Sequence, residues 1–253
     1  MPNSKAKRRA AKDSWRKNAG TTYKKPPTPI ELGRGHSRES ISQMHEAANR
    51  GECWALVNLG GYYDDGLWAD DGRLLVRKNR RTAIRYLEKA VALGDIDAMV
   101  GLASVFSADR SHRGLVRAAP LYRKAYRRGD HTAAFNLAST YLNLGRYREA
   151  VAWYRRALAA GDPDASMELA RAELLGLGTR RNTRSAIARL RRIAGRPSNR
   201  WPVNGDRIEA ILVLADALIT GWPVRRNYDE GIRWLRRAAE IGSDVAKAML
   251  ESH

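Results

Sequence analysis

The stretch that decides the fold runs from residue 83 to residue 102: Ala83-Ile84-Arg85-Tyr86-Leu87-Glu88-Lys89-Ala90-Val91-Ala92-Leu93-Gly94-Asp95-Ile96-Asp97-Ala98-Met99-Val100-Gly101-Leu102. Its first half sets a small residue, two large apolar ones and another small one at Ala83, Tyr86, Leu87 and Ala90. The spacing i, i+3, i+4, i+7 places all four on one face of a helix. In its second half Ala98 and Leu102, with Phe106 just beyond, stand four residues apart and mark the stripe of another helix. Gly94 lies between them, where glycine ends a helix readily because it takes positive φ without a steric cost.

Working outward, both halves recur. Gly51, Gly94, Gly129, Gly161 and Gly242 are each followed four residues on by Ala55, Ala98, Ala133, Ala165 and Ala246, and eight residues on by Leu59, Leu102, Leu137, Leu169 and Leu250. Tyr63, Phe106 and Tyr141 extend three of these stripes by one more turn. The other stripe returns as Ala118/Leu121/Tyr122/Ala125, Ala150/Trp153/Tyr154/Ala157 and Gly231/Trp234/Leu235/Ala238, with a degraded copy at Ala186/Arg189/Leu190/Ile193. Asn79, Asn182 and Asn227 each stand four residues before a second-helix stripe, where a side-chain oxygen accepts from the free amides of the first turn. One such pair cannot bury its apolar face alone, so repetition predicts stacking. The expectation is an all-α solenoid over residues 39–253, with about five antiparallel helix pairs and partial capping helices.

Composition agrees and bounds the function. With 253 residues the chain has ample core, and two Phe among abundant Ala, Leu and Arg suit close-packed helices rather than a β-sandwich. Cys53 is the single cysteine, which fits a reducing compartment; the expected localisation is cytoplasmic, or nuclear in a eukaryote. No leader with an apolar core and no run of about 18 apolar residues is present, so no membrane span is expected. The formal charge is +19, and residues 1–40 hold 11 Lys/Arg against 3 Asp/Glu, a net +8. Residues 1–38, broken by Pro26, Pro27, Pro29, Gly33 and Gly35, read as a disordered basic tail. Its run Lys5-Ala6-Lys7-Arg8-Arg9, with Arg16-Lys17 beyond, suits a nuclear-import signal, a nucleic-acid arm or a solubilising tail alike.

Leu59-Gly60, Tyr62-Tyr63 and Gly66, then Ala83, Tyr86-Leu87 and Ala90 before Gly94, resemble the Sel-one-like repeat, a variable-length relative of the tetratricopeptide repeat. Gly221 to Gly242, with Trp234-Leu235-Arg236-Arg237-Ala238-Ala239, is similar to its second-helix signature, and Thr132 to Gly161, lacking an extra loop, looks closer to a plain tetratricopeptide repeat. The resemblance covers residues 41–252. The departures are Glu173 where an aromatic belongs, Arg189 in a second-helix stripe, and no alanine at the usual distance from Gly205. The resemblance implies a right-handed superhelix whose concave face and edges hold peptides or partner proteins. It carries over no catalytic residue.

His36, His45, His112, His131 and His253 are scattered, without metal-ligand spacing or a phosphate loop, so no enzyme, cofactor or metal site is expected. Asp64-Asp65-Gly66 and Asp70-Asp71-Gly72 lack the alternating ligands of a calcium loop and read as turns. On the expected concave face the candidate partner-binding residues are Asn58, Asp65, Ser104, Asn136, Asn143, Arg171 and Asp216. Two basic sets keep register with the repeat. Arg155-Arg156, Arg191-Arg192 and Arg236-Arg237 lie on second helices, while Arg77-Lys78, Arg180-Arg181 and Arg225-Arg226 precede the asparagine caps. They are candidates for a polyanion edge; the alternative is the ordinary preference of helix ends for cations. Trp68 in the long loop Gly66 to Lys78, and Trp201 in the other inserted loop, either anchor a partner or bury against a neighbouring helix; Trp68 is the candidate anchor. The expected function is an adaptor binding an acidic protein or peptide, with sequence-tolerant nucleic-acid binding through tail and edge as the rival.

Overall fold

The computed structural model describes residues 37–195 and 205–251. The expected basic tail lies outside the described residues up to residue 36, as does Trp201. The chain forms two compact units, one running to Asp109 and including Pro120–Asp130, the other comprising Arg110–Ala119 and everything from His131 onward. The first holds α1 (Arg38–Asn49), α2 (Cys53–Asp65), strands β1 (Leu67–Trp68) and β2 (Leu74–Val76), α3 (Arg80–Ala92), α4 (Ile96–Ser107) and the later part of α5 (His112–Arg127). The second holds the start of α5, then α6 (Ala133–Asn143), α7 (Tyr147–Ala159), α8 (Ala165–Leu175), α9 (Thr183–Ala194), α10 (Gly205–Thr220), α11 (Tyr228–Glu240) and α12 (Asp244–Glu251). Within each unit helices α1 to α4 and α6 to α12 pack on their neighbours in sequence, and α2 also meets α4. This is the all-α helical repeat that the sequence pattern requires.

The repeat glycines do what the spacing asks of them. Gly51, Gly94, Gly129, Gly161 and Gly242 have φ of 81°, 86°, 104°, 96° and 96°. At each, the glycine N–H and the one after it turn back onto carbonyls of the helix just ended, as in Gly94 to Val91 at 3.0 Å and Asp95 to Ala90 at 3.1 Å. That double closure satisfies carbonyls a helix end leaves open. Asn79, Asn182 and Asn227 cap α3, α9 and α11, each side chain accepting from the amide three residues on, Thr82, Ser185 and Glu230.

The stripes form the core. Ala55, Ala98, Ala133, Ala165 and Ala246 are fully buried, as are Ala83, Ala90, Ala118, Ala125, Ala157 and Ala238. Small residues let the helices approach, and glycine lets them approach further. Leu87, 2% exposed, is the knob between two of them: a Cβ at Gly60 would stand 2.6 Å from its Cγ, and one at Gly101 3.3 Å from its Cδ2. In the other unit a Cβ at Gly178 would fall 2.1 Å from the Tyr147 carbonyl oxygen, so the loop after α8 touches α7 backbone to backbone there.

Two features differ from the sequence reading. The long insertion Gly66 to Lys78 is not irregular but carries an antiparallel hairpin, Leu67 opposite Val76 and Trp68 opposite Leu74 with a bulge. At its tip Asp71 accepts from the Arg73 backbone N–H (3.0 Å) and Nε (2.7 Å), the turn role expected of it, and these bonds hold its carboxyl below the usual range. Secondly, the two residues that break the pattern of their repeat meet each other. Arg189 Nε donates to Glu173 Oε2 at 3.1 Å, with side chains only 24% and 12% exposed. They stand where the first repeat stacks Tyr63 on Tyr86, ring centroids 5.7 Å apart.

Candidate partner-binding surfaces

The alanine and leucine positions of the first helices face inward, as do Leu56, Met99, Ala134 and Met167 between them, and the candidate polar residues stand on the remaining positions. Asn58, Asp65, Ser104, Asn143 and Asp216 are exposed, and Asn136 is half-buried. Asn58, Asp65 and Ser104 belong to the first unit, the other candidates to the second. Several have local partners: Asn58 Nδ2 donates to the Trp54 carbonyl at 2.8 Å, and the carbonyls of Asn136 and Ser104 accept from Thr140 Oγ1 and Ser107 Oγ. Arg171 differs from the rest. It bridges Glu168 and Glu209, tying α8 to α10, so its charge is spent inside the unit.

The basic set on the second helices divides. Arg191 pairs with Glu230 at 2.7 Å, Arg156 lies over the Trp153 ring at 4.5 Å and Arg237 over the Trp234 ring at 5.5 Å. Arg155 reaches Thr179 Oγ1 at 3.4 Å, while Arg192 and Arg236 are exposed. In this set, among the described residues, Arg191 alone is closed in an ion pair, on Glu230 of the next repeat, while Arg156 and Arg237 keep their charge over tryptophan rings. The loop set is more open. Arg77, Lys78, Arg180, Arg181, Arg225 and Arg226 are all exposed, each pair held just ahead of an asparagine cap. The cap's own N–H fixes the loop, returning to the preceding helix at Tyr63 (2.7 Å), Glu173 (2.8 Å) and Leu218 (2.8 Å) in the three copies.

Trp68, instead of burying, is 61% exposed on its hairpin, with Leu74 opposite it also exposed. Trp222 is equally exposed at 62% in the loop after α10, a position that sequence reasoning passed over. Beneath the first unit's hairpin a cavity of about 300 Å³ is lined by Ile41, His45, Tyr63, Arg77, Lys78 and Asn79, and His45 Nδ1 lies 3.0 Å from the Tyr86 hydroxyl. Sequence reasoning also missed a larger groove in the second unit, where the start of α9 meets the loop before α11. The signal that could have found it is Arg184, two residues after one asparagine cap, read together with Arg225-Arg226 before the next.

Burial, then the charge of Asp95, pushes the Cys53 thiol up, which favours its protonated form. Among the described residues no group of three His, Cys, Asp or Glu could hold a metal, and no helix is long and apolar enough to cross a membrane.

The sequence matches the Sel1 repeat family over residues 55–95 and 208–243, and the tetratricopeptide repeat family over 106–166 and 136–199. The first Sel1 match contains the long insertion Gly66 to Lys78, and the tetratricopeptide matches cover the stretch Thr132 to Gly161, which has no extra loop. Among solved structures the chain is similar to a Sel1 repeat protein from Oxalobacter formigenes, at 22% identity and TM-score 0.57 over 79% of this chain and 76% of that one. It is also similar to c5321, a protective antigen present in uropathogenic Escherichia coli strains and displaying an SLR fold, at 23% identity and TM-score 0.61. That likeness covers 85% of this chain but 44% of c5321, so the chain spans less than half its length. At such identities the fold is what is shared. No curated protein matches the sequence.

Proposed function

Taking the chain as a Sel1-like and tetratricopeptide-like repeat protein, we propose that it is a non-enzymatic scaffold that binds a protein or peptide, preferentially an acidic one. Repeats of these families are in general protein-interaction scaffolds. The observation that carries the reading is the division of labour along each first helix. Alanine and leucine are spent on the core, while Asn58, Ser104, Asn143 and Asp216, at different positions along their helices, stay exposed. Polar side chains presented on rigid helices suit recognition of a partner backbone, since little is lost in ordering them. The preference for an acidic partner follows from the net charge of +19 and from the open arginine and lysine pairs ahead of the caps.

Photo-cross-linking tests this directly. With benzoylphenylalanine placed at Asn143 or Asp216 of the full chain, the reading expects discrete protein adducts from source-cell extract that survive nuclease. Adducts made only with nucleic acid, lost between about 50 and 300 mM salt, would overturn it in favour of a sequence-tolerant polyanion binder.

A further inference from the structure

The groove in the second unit is open to solvent and holds a volume of about 730 Å³, room for a short segment of chain. Its walls are the first two turns of α9, the end of α10 and the loop leading into α11. Ile187, Leu218 and Val224 give it an apolar strip, and Arg184, Arg225 and Arg226 stand exposed around that strip. Among the described residues the only carboxylate in its lining, Glu230, is already engaged. Arg191 Nη2 donates to both its oxygens, at 2.7 and 2.9 Å, and Trp234 Nε1 donates at 3.3 Å. Burial works to raise the Glu230 carboxyl, but these bonds and the charges of Arg191 and Arg233 hold it below the usual carboxylate range. It stays ionised and neutralises Arg191, not the rim. Arg226 lies 5.6 Å over the Tyr228 ring, a contact that keeps its charge, and among the described residues no ion pair engages Arg184 or Arg225. The N-terminal turns of α9 and α11 both open here and add partial positive charge.

We infer that this groove binds a short acidic segment of the partner, seating an aliphatic side chain against Ile187, Leu218 and Val224 between carboxylates paired with Arg184, Arg225 and Arg226. The inference rests on the scaffold reading and adds to it the place and the chemistry of recognition. Carboxylates suit the rim because guanidinium groups hold them through paired, charge-assisted hydrogen bonds. The chain's own first 40 residues, at net +8, carry the wrong sign to occupy it. A nucleic-acid strand would satisfy the arginines but, among the described residues, find no aromatic side chain in the lining on which to stack a base.

The test is a titration of the full chain, isotope-labelled at methyl and amide groups, with a synthetic peptide of two leucines flanked on each side by three aspartates. The expected result is movement of the Ile187, Leu218 and Val224 methyl resonances. Replacing the peptide's leucines by serine should weaken binding about fivefold or more. Arg184→Glu with Arg225→Glu should weaken it at least about tenfold while leaving the helical circular dichroism unchanged. The wild-type shift map stands independently of that variant. Shifts gathered instead around Asn143 and Asp216 would overturn the groove while leaving the scaffold reading intact. Absence of any shift, or movement of the groove methyls by a thymidine oligonucleotide and not by the peptide, would overturn it too; the scaffold reading would then stand or fall on the cross-linked adducts.

Discussion

Glu173 and Arg189 each break the repeat alone, and the structure makes them one feature, so their removal should be strongly non-additive. At about 4 Å in a medium of effective dielectric about 20, unit charges attract by roughly 4 kcal/mol. Desolvation of two side chains only 12% and 24% exposed takes back much of this. A net coupling of about 1–2 kcal/mol remains. Glu173→Ala strands a guanidinium and Arg189→Ala strands a carboxylate, so each single change should cost roughly 2–3 kcal/mol, somewhat below the range for fully buried pairs. The pair replaced together by Glu173→Tyr and Arg189→Tyr recreates the Tyr63–Tyr86 arrangement and should come within about 1 kcal/mol of wild type or exceed it. Urea unfolding followed by far-ultraviolet circular dichroism reads the cycle of wild type, Glu173→Ala, Arg189→Ala and the double alanine variant, and beside it the double tyrosine chain, compared by midpoint at equal slope. Single losses that add to within about 0.5 kcal/mol, or a double tyrosine chain as unstable as either alanine variant, would refute the compensation argument.

Two other outcomes follow from the packing. Gly60→Ala places a methyl 2.6 Å from Leu87 Cγ in a closed site and should destabilise by about 1–3 kcal/mol; combined with Leu87→Ala it should cost less than the sum of the two, and a neutral Gly60→Ala in urea unfolding would refute the close approach. Tyr154 has its phenol pushed up to about 12, chiefly by burial, against about 10 in the unfolded chain. Its contribution is whole below pH 10 and is lost as pH climbs towards 12, because the unfolded chain releases the proton first. Tyr154→Phe gives up the 3.0 Å bond to Ser139 Oγ, costing about 1 kcal/mol at neutral pH, but should flatten the alkaline fall in melting temperature. An unchanged slope between pH 10 and 12 would refute that assignment.

How much of this was legible in the sequence depends on whether a residue's surroundings lie inside its own repeat. Gly94, Ala98, Leu102 and Asn79 are fixed by local geometry: a helix must end, a small side chain must face a neighbour, a first-turn amide needs an acceptor. Their spacing alone therefore placed helices, caps and core. Arg191 and Arg192 are adjacent in the sequence and share one register, yet one is closed on Glu230 of α11 and the other is exposed, because the neighbouring helix decides. Trp68 was ambiguous for the same reason. Its environment is a two-stranded hairpin whose pairing, Leu67 with Val76, leaves its ring exposed, and the order of apolar residues in the insertion does not distinguish that from burial.

The same reasoning explains why the groove could not be read from either of its walls. Arg184 belongs to one repeat and Arg225 to the next, and each looks like a common cation near a helix start. What makes them a site is that the intervening α10 ends at Leu218 to Thr220 and the loop to Asn227 is short, which brings the second wall against α9 and leaves Ile187, Leu218 and Val224 between. In the first unit the corresponding loop carries the hairpin, and Arg77 and Lys78 there border the smaller cavity beside His45 and Tyr63. Loop length, which leaves the helix pattern intact, thus sets what each repeat presents to solvent.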